Sequence, residues 1–200
     1  ALEAEYTTKA CEFVRQYATP EQKIFVSQID LTQVGTRNAM VTFANELKAK
    51  NLIDGIAMQA HFAPNLPTVF QVDDMVKAMV GTGLELHITE FYVNSNEDNE
   101  EDATRSAEDR IARGTKKYKS MMSSIVNYEL KSGYDLVNVT FDSLTDDTGS
   151  TNQPIEYYDT ASEQLVFGVK RDSYPALFDK DLKVKDAFFA VLLDPSIKAY

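Results

Sequence analysis

The chain has 200 residues, 44% of them hydrophobic, enough for one sizeable core. Acidic residues number 31 against 20 basic ones, and the net charge of -11 argues against sequence-independent binding of nucleic acid, which depends on neutralising phosphates. One cysteine, Cys11, excludes an internal disulfide and a cysteine-rich zinc site, tryptophan is absent, and no apolar run approaches the roughly 18 residues of a membrane span.

The opening Ala1-Leu2-Glu3-Ala4-Glu5 does not read as a signal peptide. Residues 2–18 are predicted as a helix, with Leu2, Tyr6, Phe13, Val14 and Tyr17 near one face and Thr19-Pro20 ending it. Cys11 falls on a face expected to be buried, where a thiol is inert. Lys23 to Ile29 is a short apolar strand, and 36–51 an amphipathic helix with Met40, Phe43, Ala44 and Leu47 inward. Asp54 to Ala60 is the second strand, Pro64 and Pro67 mark a loop, and Thr68 to Val80 is a helix closed by Gly81 and Gly83. Leu84 to Phe91 is the third strand. An acidic loop over 92–102 leads into a long helix from about 103 to 131, its charges suiting a helix N-terminus. Asp135 to Phe141 is the fourth strand. Residues 143–173 are polar with no firm secondary structure, an extended loop region before a closing helix at about 183–193.

Helices thus alternate with short apolar strands, which predicts an α/β fold with parallel strands and right-handed crossovers, one unit over 1–200. In such folds chemistry sits at the carboxyl ends of strands. These ends offer Ser27, Gln28 and Asp30; Gln59 and His61; His87, Thr89 and Glu90; and Thr140, Asp142, Thr145, Asp146 and Asp147. Both histidines of the chain fall there. Glu90 stands between apolar neighbours, where a carboxylate is costly unless paired or functional, and either a structural ion pair or a functional role fits it. His61 reads either as a strand cap or as a site residue. Asp146 and Asp147 read as turn residues.

The strand sequences then resemble one family. Ile53 to Phe62, IDGIAMQAHF, is similar to the sixth-strand pattern IDGIGxQxHL of glycoside hydrolase family 10, the endo-β-1,4-xylanases. Leu84 to Val93, LELHITEFYV, resembles the seventh, LEVHITELDV, and Val139 to Asp146, VTFDSLTD, the eighth, VTFWGLTD. Ala176 to Leu192 resembles the closing segment, and Tyr6 to Val26 the fourth helix and fifth strand. The resemblance implies the C-terminal half, strands 5–8, of a TIM-type (β/α)8 barrel and a retaining mechanism with paired carboxyl groups. It implies Glu90 as nucleophile, His87 supporting it, and Gln59, His61, Asp30 and Asp142 as substrate contacts. It implies no metal and no organic cofactor.

The departures are as specific as the matches. The family's acid/base glutamate belongs to the fourth strand, and no residue here matches it. Asp142 stands where the eighth-strand motif has Trp, and Tyr92 where the seventh has Asp. The expected partners are a β-linked, xylan-like polysaccharide and either a missing N-terminal half-barrel or a second copy, since a four-stranded parallel sheet leaves two open edges. A catalytically inactive carbohydrate-binding or structural domain is the alternative, with Tyr157, Tyr158 and Tyr174 as its candidate contacts. The family resemblance points to a secreted or surface-exposed location.

Overall fold

In the computed structural model the described residues are 2–95, 104–132, 136–147, 155–159, 164–168 and 173–192. Their order is α1 (Leu2–Tyr17), β1 (Phe25–Ile29), α2 (Val34–Ala49), β2 (Gly55–Phe62), α3 (Val69–Val80), β3 (Glu85–Val93), α4 (Ala107–Ser132), β4 (Leu136–Phe141), β5 (Ile155–Asp159), β6 (Gln164–Gly168) and α5 (Asp186–Leu192). The first four strands form one parallel sheet in the order β1-β2-β3-β4. β1 and β2 run in register from Phe25 opposite Gly55 to Ile29 opposite Gln59. A helix intervenes between each successive pair, as the separated apolar runs predict. No helix among the described residues is long and apolar enough to cross a membrane.

The chain divides into two compact units. The first comprises Ala1–Ala60, Pro67–Glu90 and Ser124–Thr140; the second comprises His61–Leu66, Phe91–Ser123 and Phe141–Tyr200. In the first, Met40, Ala44 and Leu47 of α2 and Val72, Met75 and Met79 of α3 are buried, each set following the helical period. Phe43, expected inward, is half-buried. Thr68 caps α3 reciprocally: its hydroxyl accepts the Gln71 N–H, and the Gln71 side chain accepts the Thr68 N–H at 2.8 Å. Gly83, at φ 65°, takes the left-handed turn after the helix.

Gly55 is required by packing. A Cβ there would strike the Phe25 ring of the neighbouring strand and come within 2.8 Å of the Glu85 carbonyl oxygen. Asp54, just before it, accepts from the Ile24 N–H and from Arg15, both at 2.7 Å. Burial pushes its carboxyl up, but these two donors outweigh it and hold the carboxyl below the usual aspartate range.

α1 departs from expectation. The apolar face is present, but Tyr6, Phe13 and Tyr17 on it are exposed rather than packed inward. Cys11 is buried as expected, and burial pushes its thiol up despite the nearby Arg15.

The second unit centres on Tyr118 of α4. Its ring lies 5.1 Å from Phe91 and 6.2 Å from Phe141, and Phe62 contacts Phe91 at 5.7 Å. Its buried hydroxyl accepts the Val93 N–H at 3.1 Å and donates to the Pro175 carbonyl. Residues 143–173 were expected to lack secondary structure, yet β5 and β6 pair antiparallel here, Ile155 opposite Gly168 and Asp159 opposite Gln164. IEYYD and QLVFG are rich in β-formers, though at five residues each they are too short to show a clear period. The acidic run 97–102 lies outside the described residues.

Candidate active site

In the first unit the site grows from the ends of β2 and β3. Burial along β3 alternates through Leu86 and Ile88, then through Phe91 and Val93, with Thr89 and Glu90 both half-buried between them. The alternation therefore slips by one residue, which leaves His87 and Glu90 on the same, less buried side although they are three apart. Gln59, on the less buried side of β2, donates through Nε2 to Glu90 Oε1 at 3.0 Å. The Gln59 amide donates and the Glu90 carboxyl oxygen accepts, which orients the carboxyl group. Thr89 donates across to the Met58 carbonyl at 3.3 Å.

His87 has other partners. Its Nε2 meets the Asn138 side-chain amide nitrogen at 2.9 Å, an arrangement in which the imidazole nitrogen accepts. Its ring stands edge-on to Phe25 at 5.5 Å. Asn138 also donates to Thr140 Oγ1 at 3.1 Å, so β4 holds the histidine from a second strand. The expected support of Glu90 by His87 is therefore not a direct hydrogen bond. Asp30 lies in the turn after β1 with φ 64°, a conformation aspartate tolerates. Its carboxylate reaches Thr32 at 3.5 Å, and its carbonyl accepts the Gln33 N–H at 3.0 Å. The structure places it as an exposed turn residue.

In the second unit, His61 and Tyr92 stack with ring centroids 4.5 Å apart and planes 26° from parallel. Asp142 donates its backbone N–H to the Phe91 carbonyl at 3.1 Å, and its side chain is half-buried. Asp146, read from sequence as a turn residue, is instead a buried ion-pair member. Lys185 donates to its two oxygens at 2.8 and 3.1 Å, and to the carbonyls of Tyr174 and Ala176 at 3.0 and 2.7 Å. Asp146 also accepts the Ala176 N–H at 3.0 Å. Burial pushes the Asp146 carboxyl up and the Lys185 amine down, each against the pull of its partner. Tyr174 lies under the Arg110 guanidinium, 5.8 Å from ring centroid to carbon. The side chains of Tyr157 and Tyr158 lie outside the described residues.

The family model for glycosyl hydrolase family 10 matches residues 2–193. The chain belongs to that family. This family 10 chain is 27% identical over 190 residues to endo-1,4-beta-xylanase B of Butyrivibrio fibrisolvens, covering 94% of itself and 26% of that protein. Among solved structures it resembles a family 10 protein from Paenibacillus barcinonensis, with TM-score 0.76 and 24% identity over 98% of this chain and 52% of that one. It also resembles the endo-1,4-beta-xylanase of Caldicellulosiruptor owensensis, with TM-score 0.74 and 25% identity over 94% of this chain and 53% of that one. The chain thus spans about half the length of these solved relatives.

Of the residues singled out by sequence, Gln59 and Glu90 are brought together, while His87 is held by Asn138 and Asp30 stays in its turn. Sequence reasoning missed Asn138 and Lys185. Asn138 alternates with Thr140 on β4, the one signal that it shares a strand face with a site residue. Lys185 is 39 residues from Asp146, and no local pattern pairs them.

Proposed function

We propose that this chain is the nucleophile-bearing portion of a retaining glycoside hydrolase of the endo-1,4-β-xylanase kind, acting on xylan or a related β-linked plant polysaccharide. The observation that carries the reading is the Glu90 carboxylate near the carboxyl end of β3, oriented by Gln59 at 3.0 Å and half-buried. In a retaining cycle Glu90 attacks the anomeric carbon while a second carboxylic acid protonates the departing oxygen, and the glycosidic bond breaks. Water, deprotonated by that second group, then cleaves the glycosyl ester and frees Glu90. The second carboxyl must lie roughly 5–5.5 Å from the first. We assign it to the half of the barrel that the solved relatives carry and this chain does not span. Gln59 is the positioning residue for Glu90, and His87, held by Asn138, steadies the same strand.

A second reading, a catalytically inactive family 10-like carbohydrate-binding or structural domain, is favoured by one observation. The chain has no tryptophan, and Asp142 stands in the motif position where a ring is usual. The test is sugar release from xylan and mixed-linkage β-glucan by this chain, with and without a first half-barrel, beside its Glu90→Gln variant. Release that falls to background in the variant is the expected outcome. Release unchanged in Glu90→Gln would sink the assignment of the nucleophile. No release in any arm, with xylo-oligosaccharide still bound, would select the second reading.

A further inference from the structure

Two departures from the family motifs form a pair. Tyr92 stands where the seventh-strand motif has Asp, and Asp142 where the eighth-strand motif has Trp. An acid and a ring have thus traded places between two strands. Those strands, β3 and β4, are neighbours in the sheet. The Asp142 N–H donates to the Phe91 carbonyl at 3.1 Å, and in a parallel ladder that bond sets residue 142 beside residue 92. Phe91 and Phe141, one position earlier on each strand, stack at 5.5 Å on the other face.

The row continues onto β2. The Asn94 N–H donates to the Phe62 carbonyl at 2.7 Å, which by the same rule sets residue 61 beside residue 92. The stack of His61 on Tyr92, with centroids 4.5 Å apart, follows from that register. His61, Tyr92 and Asp142 therefore form one row across three adjacent strand ends, all within the second unit. Each is half-buried. A ring that served the core alone would be sealed, as Tyr118 of the same unit is at 1% exposure. On β3 the row falls two residues beyond Glu90.

The row offers an aromatic surface with a carboxylate next to it, the two groups that a pyranose ring asks for. A β-linked xylose or glucose ring carries its hydroxyls around the rim and turns C–H bonds to its faces. The faces suit an aromatic ring, and the rim suits an acceptor. His61 restrains the Tyr92 side chain, so less rotamer freedom is lost when a ligand settles on it. With no tryptophan in the chain, any ring surface for a sugar must come from Tyr, Phe or His. We infer that Tyr92, backed by His61, is the platform for one sugar ring of the β-glycan, and that Asp142 accepts from that ring's hydroxyls. The ring and the acid have then exchanged strands relative to the family's motifs, which makes Tyr92 a specificity-determining residue. The inference rests on the proposed function for the class of ligand.

The experiment titrates this chain with xylotriose and follows both partners by NMR, with circular dichroism to check that each variant stays folded. Sugar C–H protons seated over the Tyr92 face should move upfield, a ring-current signature that a purely structural tyrosine would not give. Tyr92→Phe should keep that shift and bind within about threefold of the natural chain. Tyr92→Leu should abolish the shift and weaken binding at least about tenfold, the loss of one aromatic anchor. Tyr92→Asp should do the same, and adding Asp142→Trp to it should restore most of the binding, because the pair is coupled. Xylotriose that binds Tyr92→Leu as it binds the natural chain would overturn the inference. So would a natural chain that binds no xylotriose, or an Asp142→Trp change that rescues nothing. Hydrolysis is scored separately. A shift lost in Tyr92→Leu, with no hydrolysis in any arm, leaves the platform standing and removes the catalytic reading. Hydrolysis that needs Glu90, with binding indifferent to Tyr92, does the reverse.

Discussion

Removing the hydroxyl of Tyr118 tests the core of the second unit with a single atom. The side chain is 1% exposed. Its oxygen joins two elements, accepting the Val93 N–H of β3 at 3.1 Å and donating to the Pro175 carbonyl. Tyr118→Phe keeps the ring between Phe91 and Phe141, so the transfer and cavity terms stay small. The cost is in the two backbone groups left without a partner, Val93 N–H and Pro175 C=O. Each unsatisfied buried group costs about 1–3 kcal/mol, so about 2–6 kcal/mol is expected in total. The assay is urea unfolding at constant slope, read as a lower midpoint, with hydrogen exchange at the Val93 amide as the local readout. Burial pushes the Tyr118 phenol well above the ordinary tyrosine range, despite the Val93 N–H. The folded state therefore holds that proton more tightly than the unfolded chain. Its contribution is complete below the unfolded value of about 10 and is lost as pH rises beyond it. The natural chain should accordingly lose stability more steeply than Tyr118→Phe at alkaline pH. A variant within about 0.5 kcal/mol of the natural chain, the usual scatter of surface changes, with Val93 still protected, would refute the reasoning.

Lys185→Met should cost about 3–5 kcal/mol, because it leaves the Asp146 carboxylate buried and unpaired. The double change Asp146→Leu, Lys185→Met should recover part of that loss in the same denaturation series, and a double variant worse than the single would contradict this. Gly55→Ala should destabilise by about 1–3 kcal/mol, since the added methyl meets the Phe25 ring and the Glu85 carbonyl; a melting temperature equal to that of the natural chain would show the strands shift freely. Asp54 is held below its usual range, so its contribution is present above about pH 3.8 and is lost as pH falls through the folded value. Arg15→Met should therefore raise the midpoint of acid unfolding, by a small amount because the pair is about a third exposed.

The sheet and its helices were legible because their signals are local. The apolar runs at Phe25–Ile29 and Gly55–Phe62 and the helical spacing of Met40, Ala44 and Leu47 need no knowledge of the rest of the chain. Periodicity also marked the apolar face of α1, but it cannot say whether anything covers that face. β5 and β6 escaped because five residues each are too few to distinguish a strand from a loop. At the site, Gln59 and Glu90 were found because both lie near the carboxyl ends of neighbouring parallel strands. The partners of His87 were not, since contact with Asn138 depends on which strand lies beside β3. Asp146 looked like a turn residue because its cation comes from a segment 39 residues away.

The slip in β3 also bears on what a change of strand length would do. Leu86 and Ile88 keep one rhythm, Phe91 and Val93 another, and Thr89 is the residue by which the two differ. A one-residue deletion in a regular strand throws every following side chain onto the wrong face. Here the same deletion at Thr89 would merge the two rhythms into one and keep Glu90, Phe91, Tyr92 and Val93 on their present sides. The offset thus falls at Thr89, directly before the Glu90 carboxylate.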